Sequence, residues 1–453
     1  MTRVVFSVVE MPGPDGVRLG IQLKEPPELP RPQPEPLGLE AHDAVFQALH
    51  GPPTQDAVRR AGRLLFDALL RNAPLAKQLS AALLVQPPQR RPVCVELATT
   101  DGESFPWEAL CDTDGAFLGL DERWAVGRIV ETVIPLEGYR HFVPPLRVAA
   151  ILSCLGVPAA AEWEALRAAV QDSTLPAEVL VLVSEDALHA DISATAPDWV
   201  SVEFVPSTVA ELGARLQEFN AHVLHLFCHG LSTRTSPHLQ VATRADWLTG
   251  QSSSLLLESG DIGDFHRPAD SLPWLVVLNS CETASATGEQ SAGSVALNLV
   301  YTEGIPAVVG MREPVQADDA TRFTEAFYGE LLREFASLPT TPGVAAPVDW
   351  ARLLVGAREQ LAERYEPLKE QRGTRKAWTL PVVYTRPAVF TVQVGEATSP
   401  GSGELDAETT RALVLSIEAL TGLRAQISGT GDSTLLAYID DDLGRLRAEL
   451  ETR

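Results

Sequence analysis

Positive charge is scarce in this chain. It has 36 lysine and arginine residues against 60 aspartate and glutamate residues, which gives a formal net charge of −24 at pH 7. Binding to nucleic acid or to an anionic membrane surface needs a basic face, so this balance argues against both, whereas a protein partner stays compatible with it. The sequence also lacks an apolar run long enough to span a membrane, and no signal-peptide pattern opens it. We therefore expect a cytoplasmic protein.

Cysteine is scarce too. The residues of this type are scattered without close pairing, at positions 94, 111, 154, 228 and 281. Their odd number and wide spacing argue against a disulfide framework, and the lack of a CxxC pair argues against a zinc site. A glycine-rich phosphate loop is also missing. We therefore expect neither a metal nor another cofactor. We also expect reduced thiols, which suit a catalytic cysteine.

Hydrophobic residues make up 45% of the 453 residues, enough for one large or two ordinary domains with a full core. Residues 1–53 contain a predicted β-hairpin, a proline-rich linker and a short helix, and Thr54 is predicted to cap the next helix. Between residues 54 and 390, strands alternate with helices, which predicts a mostly parallel sheet covered on both faces. In the remaining stretch, 391–453, a Ser/Gly/Pro linker precedes a helix–strand–strand–helix pattern over residues 404–453. We expect this segment to form a small α+β module with an adaptor role.

Two predicted buried strands each end at a reactive side chain. The apolar run over residues 221–230 leads to His229, and the run over residues 274–283 leads to Cys281. In a parallel sheet the carboxyl ends of neighbouring strands lie at the same edge, where a histidine can act as the base for a cysteine nucleophile. The sequence therefore predicts a nucleophile–base pair of Cys281 and His229.

The other histidines and cysteines of interest are expected to have structural roles. Residues four apart on a strand are separated by about 13 Å, so His225 and His229 cannot share a metal ion. Cys228 is expected to point away from His229 as a small buried apolar residue, and His225 to be a satisfied core histidine. No histidine partner is expected for the three remaining cysteines, which are Cys94, Cys111 and Cys154.

Several short motifs are similar to those of one protease family. The two strands end in Phe227-Cys228-His229-Gly230 and in Asn279-Ser280-Cys281-Glu282-Thr283, and an earlier Pro106-Trp107-Glu108 motif is followed by Arg128 at the end of the next strand. In these motifs the chain resembles the CHAT family of caspase-like cysteine proteases, over roughly residues 54–385. Members of that family usually carry Ser and Ala before the cysteine, where this chain has Asn279 and Ser280.

The resemblance implies an α/β fold: a caspase-like three-layer sandwich with a mostly parallel central sheet, an N-terminal β-hairpin and helical extension, and a small C-terminal α+β module. It implies that Cys281 is the nucleophile and His229 its base, and that the backbone N–H groups of Gly230 and Cys281 form the oxyanion hole.

The function that the resemblance implies is a cysteine endopeptidase that cleaves a specific protein substrate. An upstream activator or sensor protein would switch it on, in a bacterial immunity, stress or cell-death system. Two alternatives stay open: a non-catalytic scaffold that uses the fold for recognition, and a peptide ligase or transpeptidase that uses the same dyad.

The pocket for the substrate's P1 side chain is expected beside the strand that follows the nucleophile strand. That strand ends at Met311, with Glu313 just after it, while Glu282 follows the nucleophile itself and is common to the family. A carboxylate facing the pocket would favour arginine or lysine at P1. The alternative is that Glu313 points to solvent or pairs with Arg312 or another neighbour, while Met311 lines an apolar pocket.

Overall fold

The structure is a computed structural model. It describes residues 2–13, 16–27, 32–132, 140–232, 237–250, 252–265, 272–280, 294–341 and 343–395, together with Thr421, Leu443 and Gly444. Cys281 and Glu282 therefore lie outside the described residues, as do the Ser/Gly/Pro linker and nearly all of the predicted C-terminal module.

The strands of the described residues are mostly short and apolar. In chain order they are β1 (Val4–Gly13), β2 (Gly16–Glu25), β3 (Glu35–Pro36), β4 (Val93–Leu97), β5 (Val126–Ile129), β6 (Arg140–Phe142), β7 (Leu146–Leu152), β8 (Ala177–Val183), β9 (Val200–Phe204), β10 (Val223–Phe227), β11 (His229–Ser232), β12 (Pro237–Val241), β13 (Leu255–Leu257), β14 (Leu275–Leu278), β15 (Ala307–Met311), β16 (Ala345–Pro347), β17 (Pro381–Thr385) and β18 (Thr391–Val394).

Helices fill the connections between many of these strands. In chain order they are α1 (Ala44–Gln47), α2 (Ala57–Leu69), α3 (Ala73–Leu83), α4 (Thr100–Glu103), α5 (Ala160–Gln171), α6 (Asp186–Thr195), α7 (Val209–Phe219), α8 (Arg244–Thr249), α9 (Ser259–Asp264), α10 (Val295–Tyr301), α11 (Ala317–Ala336) and α12 (Trp350–Tyr365). Several of them are preceded by a polar residue whose side chain accepts a hydrogen bond from a backbone N–H of the first turn, the usual N-cap arrangement. These N-cap residues are Asn72, Thr208, Ser294 and Asp349.

Twelve of these strands form one sheet, in the order β3-β2-β1-β4-β5-β17-β15-β14-β10-β7-β8-β9. From β15 to β9 all neighbours are parallel, and β17 pairs antiparallel with β15 but parallel with β5. The N-terminal hairpin of β1 and β2 is confirmed, and β1 continues the sheet by pairing parallel with β4. The predicted mostly parallel sheet is therefore present.

Each face of this sheet has its own hydrophobic core. Along β14, Val276 and Leu278 belong to one core with α7, α9 and α10, whereas Leu275 and Val277 belong to the other with α5, α11 and α12. Successive side chains of a strand point to opposite faces, so a strand buried on both sides must be apolar throughout. This explains why the central strands read as unbroken apolar runs, and it confirms the three-layer α/β arrangement.

Two local predictions need correction. Thr54 does not cap the second helix: Asp56 precedes α2 in a left-handed conformation (φ 55°), and Thr54 contributes only its carbonyl, to the N–H of Ala57 at 3.1 Å. The predicted strand over 221–230 is also divided. β10 ends at Phe227, and β11 belongs to a separate three-stranded sheet with β12 and β13.

The Pro-Trp-Glu motif supplies a buried ion pair beside the sheet. Trp107 is fully buried and donates from Nε1 to the carbonyl of Gly102 at 2.8 Å. The next residue, Glu108, receives two hydrogen bonds from the guanidinium of Arg128 on β5, each 2.9 Å long, and neither side chain is exposed. Burial alone would raise the pKa of Glu108, but the charge of Arg128 reverses this and lowers it.

Replacing Arg128 with methionine is expected to cost about 3–5 kcal/mol of folding free energy at neutral pH, because Glu108 would lose its buried counter-charge. A carboxyl whose folded pKa is lowered contributes stability above its unfolded pKa of about 4.3 and loses it as the pH falls through the folded value. In Arg128→Met, burial without that charge raises the pKa of Glu108, so the difference between wild type and variant should begin to shrink above about pH 4.3 and continue to shrink below it in denaturant titrations.

A matched control is Arg90→Met, which removes a partly exposed pair with Glu122 (3.3 Å). It should cost no more than about 1 kcal/mol. Equal losses in the two variants would contradict a structural role for the Glu108–Arg128 pair.

Candidate active site

His229 stands where the chain leaves the central sheet. β10 ends at Phe227, Cys228 follows, and His229 opens β11 opposite Gln240 of β12, with Gly230 next to it opposite Leu239. The histidine is therefore held between two sheets, with its ring partly exposed at the carboxyl end of the parallel strands. This is the edge at which the sequence predicts the site.

The register between β10 and β14 brings the two predicted motifs together. Leu226 pairs with Leu278, and the N–H of Asn279 donates to the carbonyl of Leu226 at 2.9 Å. Two residues beyond the Leu226–Leu278 pair, Cys228 Sγ lies 3.4 Å from Ser280 Oγ. The residue before His229 thus contacts the residue before Cys281. Cys281 itself lies outside the described residues, so the dyad stays a prediction.

The neighbouring strand β7 orients the His229 ring. After β7, the carbonyl of Leu155 lies 2.7 Å from Nε2 of His229. A carbonyl oxygen only accepts hydrogen bonds, so Nε2 must carry the proton, and Nδ1 is the acceptor nitrogen of the neutral ring. The proton-accepting nitrogen of the proposed base is therefore Nδ1.

Cys154 has a histidine neighbour, contrary to the sequence prediction. Its Sγ lies 3.6 Å from Nδ1 and 3.5 Å from Nε2 of His229, and the residue is buried. The contact arises because Ser153, next to it, hydrogen-bonds to the carbonyl of Phe227 at 2.8 Å and so continues the pairing of β7 with β10. The sequence analysis could not predict this contact, because no residue near Cys154 in the sequence indicates that β7 pairs with β10.

Cys228 has the structural role that the sequence predicts. It is buried in the core on the α10 face of the sheet. His225 is fully buried, with Nε2 3.1 Å from Oε1 of Glu162. Although Nε2 is within ion-pair distance of that carboxylate, neither ring nitrogen makes a hydrogen bond among the described residues, so the expectation of a satisfied core histidine is not met.

The two described candidates for the P1 pocket differ in their surroundings. Met311 ends β15 and is buried in the core on the α11 and α12 face. Glu313 pairs with Nζ of Lys376, and its other oxygen lies 3.5 Å from Nδ1 of His50. This geometry favours the alternative in which Glu313 pairs with a neighbour. The third candidate, Glu282, lies outside the described residues.

A buried polar cluster just before the nucleophile position was missed by the sequence analysis. The Nδ2 group of Asn279 donates to Glu162 Oε1 (2.7 Å) and to Thr324 Oγ1 (3.0 Å), and the Thr324 hydroxyl donates to the same carboxylate. With His225 and Tyr328 these residues form what we call the Glu162 cluster. The one sequence signal was Asn279 itself, which replaces the serine usual in the family pattern.

Two further findings concern the part of the chain that the structure describes. It contains no group of three or more histidine, cysteine, aspartate or glutamate side chains arranged to hold a metal ion. None of its helices has both the length and the apolar character that crossing a membrane would require.

The chain matches a known protein family. The family model described as CHAT domain matches residues 59–346, more than half of the chain, and this domain is the caspase-like one. The matched range includes both His229 and Cys281. No curated protein matches the chain. The family resemblance and the caspase-like α/β class predicted from the sequence are thereby confirmed.

The tautomer of His229 can be measured directly. In a Cys281→Ala variant, at a pH where the ring is neutral, long-range ¹H–¹⁵N correlation spectra should show a protonated Nε2 and an unprotonated Nδ1, because Leu155 offers only an acceptor. The signals of the His229 ring are assigned by their disappearance in the double variant Cys281→Ala/His229→Gln. A protonated Nδ1 would contradict the proposed orientation of the ring.

Proposed function

The chain belongs to the CHAT family of caspase-like proteins, which is related to the cysteine proteases, and we propose on this basis that it is a cysteine endopeptidase with a Cys281–His229 dyad. The observation that carries the proposal is the contact of Cys228 with Ser280 at 3.4 Å. It supports a dyad because His229 directly follows Cys228 in the chain and Cys281 directly follows Ser280.

The proposed reaction begins with transfer of the Cys281 thiol proton to Nδ1 of His229. The thiolate then attacks the carbonyl carbon of the scissile bond, and the backbone N–H groups of Gly230 and Cys281 stabilise the oxyanion. The imidazolium returns the proton to the leaving amine, which departs and leaves a thioester. Water, deprotonated by His229, hydrolyses the thioester and restores the thiol. Throughout, the Leu155 carbonyl accepts the Nε2 hydrogen bond and holds the ring in place.

The target is proposed to be a specific protein, cut in the cytoplasm after an upstream activator or sensor protein has acted. Support for this comes from family membership, and it extends to a role in bacterial immunity, stress or cell death. Residues 54–390 are proposed to be the protease domain, 1–53 its N-terminal extension, and 391–453 an adaptor-like module. The proposed chemistry uses protein side chains and backbone alone, with no cofactor.

Covalent capture by a peptide with a carboxyl-terminal acyloxymethyl ketone tests the dyad. We expect labelling at Cys281, found by peptide mass spectrometry, and its loss in Cys281→Ala. His229→Ala should slow labelling by about 100-fold or more, because the thiol then lacks its base. The matched control is Cys94→Ala, which removes a buried thiol on β4, several strands away from β10, and should label at the wild-type rate.

Other outcomes separate the alternatives. A folded protein that is not captured at Cys281 would indicate a scaffold. A captured protein that joins peptides to added amines in preference to hydrolysing them would indicate a ligase or transpeptidase. Either result would reject the endopeptidase proposal.

Cleavage of a peptide library tests how P1 is selected. Because the Glu313 carboxylate pairs with Lys376, Glu313→Gln is expected to leave the P1 preference unchanged, whereas Lys376→Met frees the carboxylate and should increase cleavage after arginine and lysine. If wild type prefers a basic P1 residue and Glu313→Gln abolishes that preference, Glu313 is the selector after all.

A further inference from the structure

We propose that Asn279 is a positioning residue for Cys281, and that the buried carboxylate of Glu162 holds it. The inference rests on the proposed function, since it concerns the same nucleophile, but it assigns a role to residues outside the dyad. Neither side chain is expected to touch the substrate. Their effect is to fix the end of β14, two residues before Cys281.

The side chain of Asn279 ties the strand end to two helices. It is 3% exposed, and its Nδ2 donates to Glu162 Oε1 on α5 at 2.7 Å, and to the Ala320 carbonyl (3.1 Å) and Thr324 Oγ1 (3.0 Å) on α11. A carboxylate and a carbonyl can only accept, so the amide must present its nitrogen to them. One amide group therefore connects the end of β14 with two of the helices that cover this face of the sheet.

The backbone and the following residue are fixed by different contacts. The N–H of Asn279 bonds to Leu226 of β10, and Ser280 contacts Cys228. The side chain of Asn279 thus sets the position of the strand end relative to the helices, while its backbone sets the position relative to His229. Consecutive Cα atoms are about 3.8 Å apart, so the position of Asn279 limits where the chain can carry the two residues that follow it.

The cluster is also poorly satisfied, which a purely structural role does not explain. Among the described residues, Oδ1 of Asn279, Oε2 of Glu162, both ring nitrogens of His225 and the hydroxyl of Tyr328 are buried without a hydrogen-bond partner. Such groups are costly, and apolar residues of similar volume often stabilise a core as well or better. The polar cluster instead lies at the one strand end that leads to the predicted nucleophile.

Glu162 is sensitive to the loss of any partner. It is 1% exposed, and besides Asn279 it has the Thr324 hydroxyl and Nε2 of His225 nearby. Burial, with the Glu162 charge adding to it, raises the pKa of Tyr328 well above its ordinary value, so the phenol stays neutral. Without the Asn279 amide, the carboxylate is expected to reorganise its remaining contacts, and β14 would lose its connection to α5.

The test measures the thiol and needs no known substrate. Full-length protein is alkylated with iodoacetamide over a range of pH, and modification of Cys281 is quantified by peptide mass spectrometry. Asn279→Ala is expected to slow alkylation near pH 7 by about tenfold and to move the midpoint of the pH profile upwards, because the thiol is displaced from His229. Asn279→Asp, which places a second carboxylate beside Glu162, should do the same.

A reciprocal exchange provides the rescue. In Asn279→Asp/Glu162→Gln the amide and the carboxylate trade places, so the contact with α5 and one buried negative charge are retained, while the hydrogen bond to the Ala320 carbonyl is lost. Its alkylation rate near pH 7 should therefore recover most of the tenfold loss, to within about threefold of wild type. The matched control is Asn72→Ala, which removes another buried asparagine, the cap of α3. Asn72 lies beside the Ile21 carbonyl of β2, and β2 is six strands away from β14 in the sheet. It should lower stability and leave the Cys281 midpoint unchanged.

Two results would overturn the proposal: a folded Asn279→Ala with the wild-type profile, or a folded reciprocal variant that is alkylated more than about threefold more slowly than wild type. The second decides the question even if the single variants do not fold. The dyad assignment is tested separately, by the pH profile of Cys281 alkylation in His229→Ala. If that variant keeps the wild-type midpoint, the proposed function is wrong, whatever Asn279 does.

Discussion

The pairing of β10 with its two parallel neighbours is the constraint on which the site depends. Because parallel strands end at the same edge, the register that sets Leu226 beside Leu278 also brings Cys228 to Ser280. On the other side, β7 ends where Leu155 can accept from His229. The catalytic geometry proposed here is therefore a consequence of strand register. A slip of one residue would move every side chain of a strand into the opposite core, so close packing in the two cores also holds the register of the site.

Residues whose roles follow from their own strand could be predicted from the sequence. The apolar runs of β10 and β14 are visible because both faces are buried, and the reactive residue that ends each run stands out against them. The sequence could not reveal partners that depend on three-dimensional pairing. The carbonyl of Leu155 has no side-chain signature at all, and Cys154 meets His229 only through the β7–β10 pairing. Lys376 pairs with Glu313 although 63 residues separate them.

The division at Cys228 was missed for a different physical reason. An apolar run predicts a strand but says nothing about which sheet it joins. The backbone from His229 onwards pairs with β12, and β12 with β13, in a part of the chain where the sequence analysis placed no strands. The histidine lies at the junction of two sheets as a result, where its ring is held by β7 while its backbone belongs to β11.

Two buried carboxylates bracket the stretch that carries Cys281. Before it, Asn279 is held by Glu162 on the face covered by α5 and α11. After it, Ser294 caps α10 and donates to Glu103 at 2.6 Å, on the opposite face of the sheet. Burial raises the pKa of Glu103, which also accepts from the hydroxyl of Tyr384 at 2.6 Å. Each end of the stretch is thus fixed to a different layer by a group that is costly to bury. Such contacts weaken steeply with distance and misalignment. Apolar packing has no such directionality and would leave both ends freer to shift. The two carboxylates therefore contribute orientation at the strand end and the helix start, which the hydrophobic cores alone would not supply.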